Sequence, residues 1–175
     1  MEKDVIFETA ERYVKGTGKS VFLTGKAGTG KTTFLKYITS TVGKRYVVLA
    51  PTGVAAINAG GTTIHSFFQL PLCPYLPDVK ELVTEYQMPE RYRSLRKERV
   101  KIIRSLDLLI IDEISMVRCD LVDVMDRMLR RYRNNFQPFG GVQIVFVGDL
   151  FQLPPVITMA DKALLRKFYS STGYY

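Results

Sequence analysis

Short runs of apolar residues alternate along the chain with stretches whose apolar side chains recur every three or four positions. That alternation predicts parallel strands, buried on both faces, joined by helices. The expected strands are 20–24, 46–50, 106–111 and 142–147. The last two are apolar throughout, and the second stops at Pro51. A helix is expected over 31–41, with Phe34, Leu35 and Ile38 on one side and Gly43 placed to end it. Another spans 120–133, where Leu121, Val124, Met125, Met128 and Tyr132 keep helical spacing. Further helices are expected over 90–104 and 160–168. Residues 70–87 are interrupted by Pro71, Pro74 and Pro77, with Asp78 and Glu81 placed to cap a short helix. They fit an insertion at the sheet's edge better than another βα unit. The fold class is therefore α/β, a mostly parallel sheet flanked by helices.

Composition narrows the class without changing it. A chain of 175 residues fits one domain, and 46% hydrophobic with 24% charged residues is ordinary globular usage. No run approaches the roughly 18 to 20 apolar residues of a membrane span, so no membrane partner is expected. The start, Met1-Glu2-Lys3-Asp4-Val5-Ile6, fits neither a secretory nor a transit signal. A soluble intracellular protein is expected, in the cytoplasm or nucleoid of a bacterium, with nucleus and mitochondrion as alternatives; a monomer is favoured. Cys73, Cys119 and the single histidine, His65, lack metal-ligand spacing. Twenty-five basic against 17 acidic residues give a net charge of +8, which suits a polyanionic partner.

Residues Gly25-Lys26-Ala27-Gly28-Thr29-Gly30-Lys31-Thr32 match the phosphate-loop pattern, directly after an expected strand and at the start of an expected helix. Glycines let the backbone amides turn inward to phosphate oxygens, and the helix N-terminus adds positive potential. The expected nucleotide set is Gly25, Ala27, Gly28, Thr29, Gly30, Lys31, Thr32 and Thr33. Lys31 reaches the β and γ phosphates, and the Thr32 hydroxyl ligates Mg²⁺.

A nucleotide site alone does not make a hydrolase. Asp112 and Glu113 end the apolar run 108–111, at the strand edge where ligands bind in such sheets. Asp112 is expected to hold magnesium, directly or through water, and Glu113 to orient and deprotonate the attacking water. The 142–147 strand runs into Gly148-Asp149-Leu150-Phe151-Gln152-Leu153-Pro154-Pro155. Gln152 falls just beyond the same edge, where its amide can bond both the γ phosphate and that water.

These blocks resemble the petite-integration-frequency DNA helicases, relatives of RecD in superfamily one, group B. The matching blocks are 25–32, Ala50-Pro51-Thr52-Gly53-Val54-Ala55-Ala56, Gly61-Thr62-Thr63-Ile64-His65-Ser66-Phe67, Asp112-Glu113-Ile114-Ser115-Met116 and 148–155. The resemblance implies a RecA-like phosphate-loop NTPase domain with a small wedge-like insertion. It further implies ATP and Mg²⁺ as cofactors, and translocation 5′ to 3′ on single-stranded DNA with unwinding of duplex junctions. It assigns Lys31, Glu113 and Gln152 to catalysis, and Pro51, Thr52, Gly53, Val54, Thr63, His65, Ser66 and Phe67 to DNA. Hydroxyls and backbone amides of that set can contact phosphate or sugar without reading sequence, while His65 and Phe67 can stack on bases. For Phe67 and Phe68, core packing is an equal alternative; for His65, a hydrogen-bonded structural role.

Such helicases often carry a glutamine ahead of the phosphate loop that reads adenine, but no Gln precedes Gln69, which leaves base selectivity open. No arginine in 1–175 has the context of one that stabilises the transferred phosphoryl group, so the chain is expected to be the first of two RecA-like domains, without the second. A kinase acting on a small substrate and a non-motor nucleotide switch share the loop; the Asp-Glu pair argues against the kinase. Residues 90–104 carry Arg91, Arg93, Arg96, Lys97, Arg99, Lys101 and Arg104, with Tyr92, Leu95, Ile102 and Leu106 as the expected buried face. The basic face is either solvated or a secondary nucleic-acid contact.

Overall fold

The computed structural model of the chain describes residues 5–76 and 95–171. In chain order its elements are α1 (Val5–Gly16), β1 (Val21–Thr24), α2 (Lys31–Thr41), β2 (Tyr46–Ala50), α3 (Gly53–Asn58), β3 (Thr62–Thr63) and α4 (Ile64–Phe68). Then follow α5 (Lys97–Ser105), β4 (Leu108–Ile111), α6 (Cys119–Arg133), β5 (Gln143–Gly148) and α7 (Met159–Leu165). Single 3-10 turns lie at Ile114–Met116 and Pro138–Gly141. The five strands pair in parallel, in the order β1-β5-β4-β2-β3.

Helices cover both faces, so the inner strands are apolar at successive positions rather than alternating. Every residue of β4 and β5 is buried. Within β4 the pleat sends Leu108 and Ile110 to the layer under α1 and α2, where they meet Val14, Phe34, Leu35 and Ile38. Leu109 and Ile111 face the other layer, against Phe67, Phe68, Ile103, Met125 and Leu129 of α4, α5 and α6. At the sheet's N-terminal edge the Lys44 ammonium donates to the carbonyls of Val14 and Thr17 and to Gln143 Oε1, each at 2.6 Å, and so ties α1 to β5. Among the described residues, no helix is long and apolar enough to cross a membrane.

The expected α/β architecture holds, with element ends shifted by a residue or two in most cases. Three helices were not legible in the pattern. In α1 only Ala10 and Val14 are buried while Val5, Ile6 and Tyr13 face solvent, which blurs the periodicity. Helices α3 and α4 have six and five residues, too few to show a period, and each begins at a threonine cap. The Thr52 hydroxyl accepts from the Ala55 amide and the Thr63 hydroxyl from the Ser66 amide, both at 3.2 Å.

Gly43 does not cap α2: the chain already turns extended at Val42. By contrast Asn134, in the left-handed region at φ 50°, closes α6. The buried face of α5 also differs from expectation. Leu95, Val100, Ile103 and Leu106 pack inward and Ile102 is 40% exposed, because the helix begins only at Lys97 and Leu95 does not set its phase. Tyr92, Arg91, Arg93, Asp78 and Glu81 lie outside the described residues, as does the 70–87 insertion from residue 77 onward.

Candidate active site

The phosphate-loop sequence bridges β1 and α2. Gly28 and Gly30 have φ of 81° and 89°, values that only glycine adopts without strain, and they let the loop curl over the start of α2. The Thr29 hydroxyl donates to the Lys26 carbonyl at 2.8 Å and closes the curl. Helix α2 has no side-chain cap, so the amides of its first turn remain available to an anion at the loop. The Lys31 ammonium donates to the Gly25 carbonyl and, at 2.9 Å, to the Lys26 carbonyl. Thr32 and Thr33 stand exposed at the helix start.

Two strands away, β4 runs into Asp112, whose amide donates to the Leu49 carbonyl at 2.8 Å. One carboxylate oxygen of Asp112 accepts from the Glu113 amide at 3.0 Å. Glu113 itself takes φ 52° and ψ 46°, a left-handed conformation that costs a non-glycine residue about 1–3 kcal/mol and clusters at functional sites. Burial pushes the Asp112 pKa up, against the pull of the Glu113 amide and Lys31. Burial and the neighbouring Asp112 charge push Glu113 up, with Asp149 adding and Lys31 opposing.

The sign of that arrangement is testable. A carboxyl held above its ordinary range keeps its proton in the folded state at pH values where the unfolded chain has lost it. Stability therefore falls as pH rises from the ordinary carboxylate range through the raised values, and the pair is destabilising at neutrality. Glu113→Gln removes one of the two charges and should raise the melting temperature at pH 7 and flatten the loss of stability above pH ~4.5. Thermal unfolding across pH checks this; an unchanged pH profile would show that burial does not govern these acids.

The third segment leaves β5 through Asp149, which is buried. Its carboxylate accepts from the Phe151 amide and its carbonyl from the Gln152 amide, each at 3.0 Å, forming the turn that presents Gln152. Gly148 precedes it because a Cβ there would stand 2.8 Å from Ile114 Cγ2. The turn after β4 is thereby pressed onto the end of β5.

A cleft of about 520 Å³ opens between these segments. Thr32, Asp112, Glu113 and Gln152 line it, together with Thr52 and Val54 from the segment the resemblance assigned to DNA. Lys36, Asn58, Ser115, Met116 and Leu153 complete the wall with Ala55; Ala55, Ser115, Met116 and Leu153 lie within the matching blocks, but none of the six was given a role from the sequence. Lys36 could have been, one turn beyond Thr32 on α2; the others reach the cleft only through folding.

The remaining residues assigned to DNA lie by the edge strand β3. Pro51, Thr63 and His65 are half-buried; Gly53 and Ser66 are exposed. Burial and the nearby Arg118 charge push the His65 pKa down, with Asp120 opposing. Phe67 must be corrected: it is 1% exposed, packs edge-to-face on Phe68 and lies beneath the Arg99 guanidinium at 4.7 Å. Its ring is core and is not presented to a base. Two cap acceptors, Thr52 and Thr63, each give one lone pair to their own helix and keep the hydroxyl proton and a second lone pair for an outside partner.

Comparison with known proteins bears on this arrangement. The profile of the PIF1-like helicase family matches residues 1–172. An ATP-dependent DNA helicase PIF1 from Saccharomyces cerevisiae is 40% identical over 162 residues, 89% of this chain and 17% of that protein. The Homo sapiens protein of the same name is 41% identical over 145 residues, 79% of this chain and 20% of that protein. The crystal structure of Bacteroides Pif1 bound to single-stranded DNA superposes with a TM-score of 0.88 at 44% identity, covering 99% of this chain and 38% of that one. The crystal structure of a Pif1 helicase from Bacteroides in complex with ADP-AlF3 and single-stranded DNA gives 0.88 at 43% with the same coverage. The chain thus spans about a fifth of these curated relatives and two fifths of the solved chains.

Proposed function

The chain belongs to the PIF1-like helicase family, and on that premise we propose that residues 1–175 form the first RecA-like ATPase domain of a DNA helicase moving 5′ to 3′ on single-stranded DNA. The observation that carries the reading is the convergence, in one cleft, of Thr32, Asp112, Glu113 and Gln152 with Thr52 and Val54. A nucleotide and a DNA strand bound to those two sets would share a wall, which is what coupling hydrolysis to movement requires.

In this reading Gly25, Ala27, Gly28, Thr29, Gly30 and Thr33 cradle the phosphates and Lys31 leaves its loop carbonyls for β and γ oxygens. The donor set fits magnesium, which prefers one or two protein oxygens and keeps several waters. Thr32 and Asp112 would hold it, and the burial that raises the Asp112 pKa is relieved by a cation. When bound, the ion offsets charge on the phosphate oxygens. Glu113, one residue on, takes a proton from the attacking water, and its raised pKa brings it closer to a base matched to neutral pH. Gln152 bonds the γ phosphate. Pro51, Thr52, Gly53, Val54, Thr63, His65 and Ser66 contact the strand's backbone and sugars.

The test is nucleotide turnover and magnesium-nucleotide binding by this chain, with and without single-stranded DNA. Binding of magnesium nucleotide, with affinity or turnover that shifts when DNA is added, is the expected result. Absence of nucleotide binding would end the proposal.

The basic face of α5 is a second nucleic-acid contact in the same reading. Lys97, Lys101 and Arg104 stand exposed, one turn apart. Reversing Lys97 and Lys101 to glutamate should lower the slope of log affinity against log salt by about 1.4, at roughly 0.7 per single-strand phosphate contact. Fluorescence anisotropy over a salt series measures it, and an equal slope identifies a merely solvated face.

A further inference from the structure

Ser115 lies in the 3-10 turn Ile114–Met116, two residues past Glu113. It is fully buried, and its hydroxyl is the one buried side-chain polar atom among the described residues without a hydrogen-bond partner. Such an orphan costs about 1–3 kcal/mol, and native folds retain few of them. Yet Ser115 is not sealed in apolar core. It lines the cleft with Asp112, Glu113 and Gln152. Its amide nitrogen is 3.4 Å from where a Cβ on Gly148 would stand, so its turn abuts the end of β5, four residues before Gln152.

The chemistry of the Gln152 amide supplies the missing partner. Phosphate oxygens only accept hydrogen bonds, so the NH₂ end must face a γ phosphate and the carbonyl end must turn away from it. That carbonyl is then free to accept from a donor on the cleft's inner wall. The other side-chain donors in the cleft, Thr32, Lys36, Thr52 and Asn58, are all exposed and can donate to solvent. Ser115 is the buried donor on that wall, and its hydroxyl has no acceptor.

Resting on the nucleotide reading above, we infer that Ser115 is a positioning residue whose hydroxyl donates to Gln152 Oε1 when a triphosphate is bound. The contact fixes the amide with its NH₂ toward the γ phosphate. The second lone pair of Oε1 remains free for a hydrogen of the attacking water. With a diphosphate nothing draws the exposed Gln152 inward, and Ser115 stays unpaired. The turn after Glu113 thereby senses which nucleotide is present, at a standing cost to the stability of the unliganded fold.

The test compares the whole chain with Ser115→Ala, Gln152→Ala and the double variant. Affinities for magnesium-ADP and for a non-hydrolysable ATP analogue are measured, with the melting temperature of each unliganded protein. Ser115→Ala should keep its ADP affinity within about twofold and lose roughly 3- to 10-fold for the triphosphate analogue, the worth of one hydrogen bond. The double variant should bind the analogue no more weakly than Gln152→Ala alone, because the serine acts through the glutamine. The melting temperature should hold or rise, since an unpaired buried hydroxyl is removed. Equal losses for both nucleotides with a lower melting temperature would mark a structural serine and overturn the inference, as would additive losses in the double variant. If the unaltered chain binds the nucleotides and Ser115→Ala leaves its preference unchanged, only this inference falls. If the unaltered chain binds neither nucleotide, the functional reading falls with it.

Discussion

Lys31→Ala should weaken magnesium-ATP binding about a hundredfold and leave the fold intact. In the free chain the ammonium serves no distant element; it donates to two carbonyls of its own loop, Gly25 and Lys26, at a half-exposed position. Removing it therefore costs the unliganded protein little. In the loaded site the same ammonium would exchange those neutral acceptors for phosphate oxygens. Two charge-assisted bonds at roughly 1.5 kcal/mol each give about 3 kcal/mol, or two orders of magnitude in affinity. Isothermal titration of the two proteins, with melting curves as the control for folding, settles the matter. Equal affinities would mean that phosphate is not bound at this loop.

Asp120→Ala should lower stability by about 3–5 kcal/mol, because it strands a buried guanidinium. Asp120 is fully buried at the start of α6 and accepts from Arg118 Nε at 2.9 Å, Arg118 Nη2 at 2.8 Å and the Tyr75 amide at 2.8 Å. The Arg118 side chain is only 13% exposed, and its other listener is the Cys73 carbonyl at 3.4 Å. The pair pins the chain beyond α4 to α6, and with it the edge that carries His65. In a domain of this size the loss lowers the melting temperature by roughly 10 °C. Arg118→Met combined with Asp120→Leu should lose less than Asp120→Ala alone, since no charge is then left unpaired. Calorimetry on the three proteins separates the outcomes; a single variant no worse than the double would mean water already reaches the pair.

Such a pair was not legible in the sequence. Arg118 and Asp120 lie two residues apart, a spacing that says nothing about burial, and the third partner, Tyr75, is 45 positions away from Asp120. The phosphate loop was legible for the opposite reason. Its eight residues are contiguous and their chemistry is largely local: glycines for positive φ, a lysine, and a threonine at a helix start. The carboxylates and Gln152 were legible because each follows a buried parallel strand, and such strands announce themselves as unbroken apolar runs. Their nearness to one another followed from the shared edge of the sheet. Phe67 shows where this kind of reading stops. Its residue type fits base stacking and core packing equally, and only the position of Arg99 and Phe68 against its ring decides for the core.

The sequence by itself determined the α/β class, four of the sheet's five described strands (not the two-residue β3), the phosphate loop and the acids and amide at the sheet's edge, because those signals are written in short-range pattern. Tertiary structure alone decided which residues share a cleft. Thr52, Asn58 and Ser115 come to stand beside Asp112 through the pairing of β2 with β4 and the packing of the turn after β4 on Gly148. Burial is the physical reason for the division. Periodicity reports which side of an element faces inward, but whether an inward hydroxyl meets a partner, or an inward carboxylate meets a cation, depends on groups that other strands deliver.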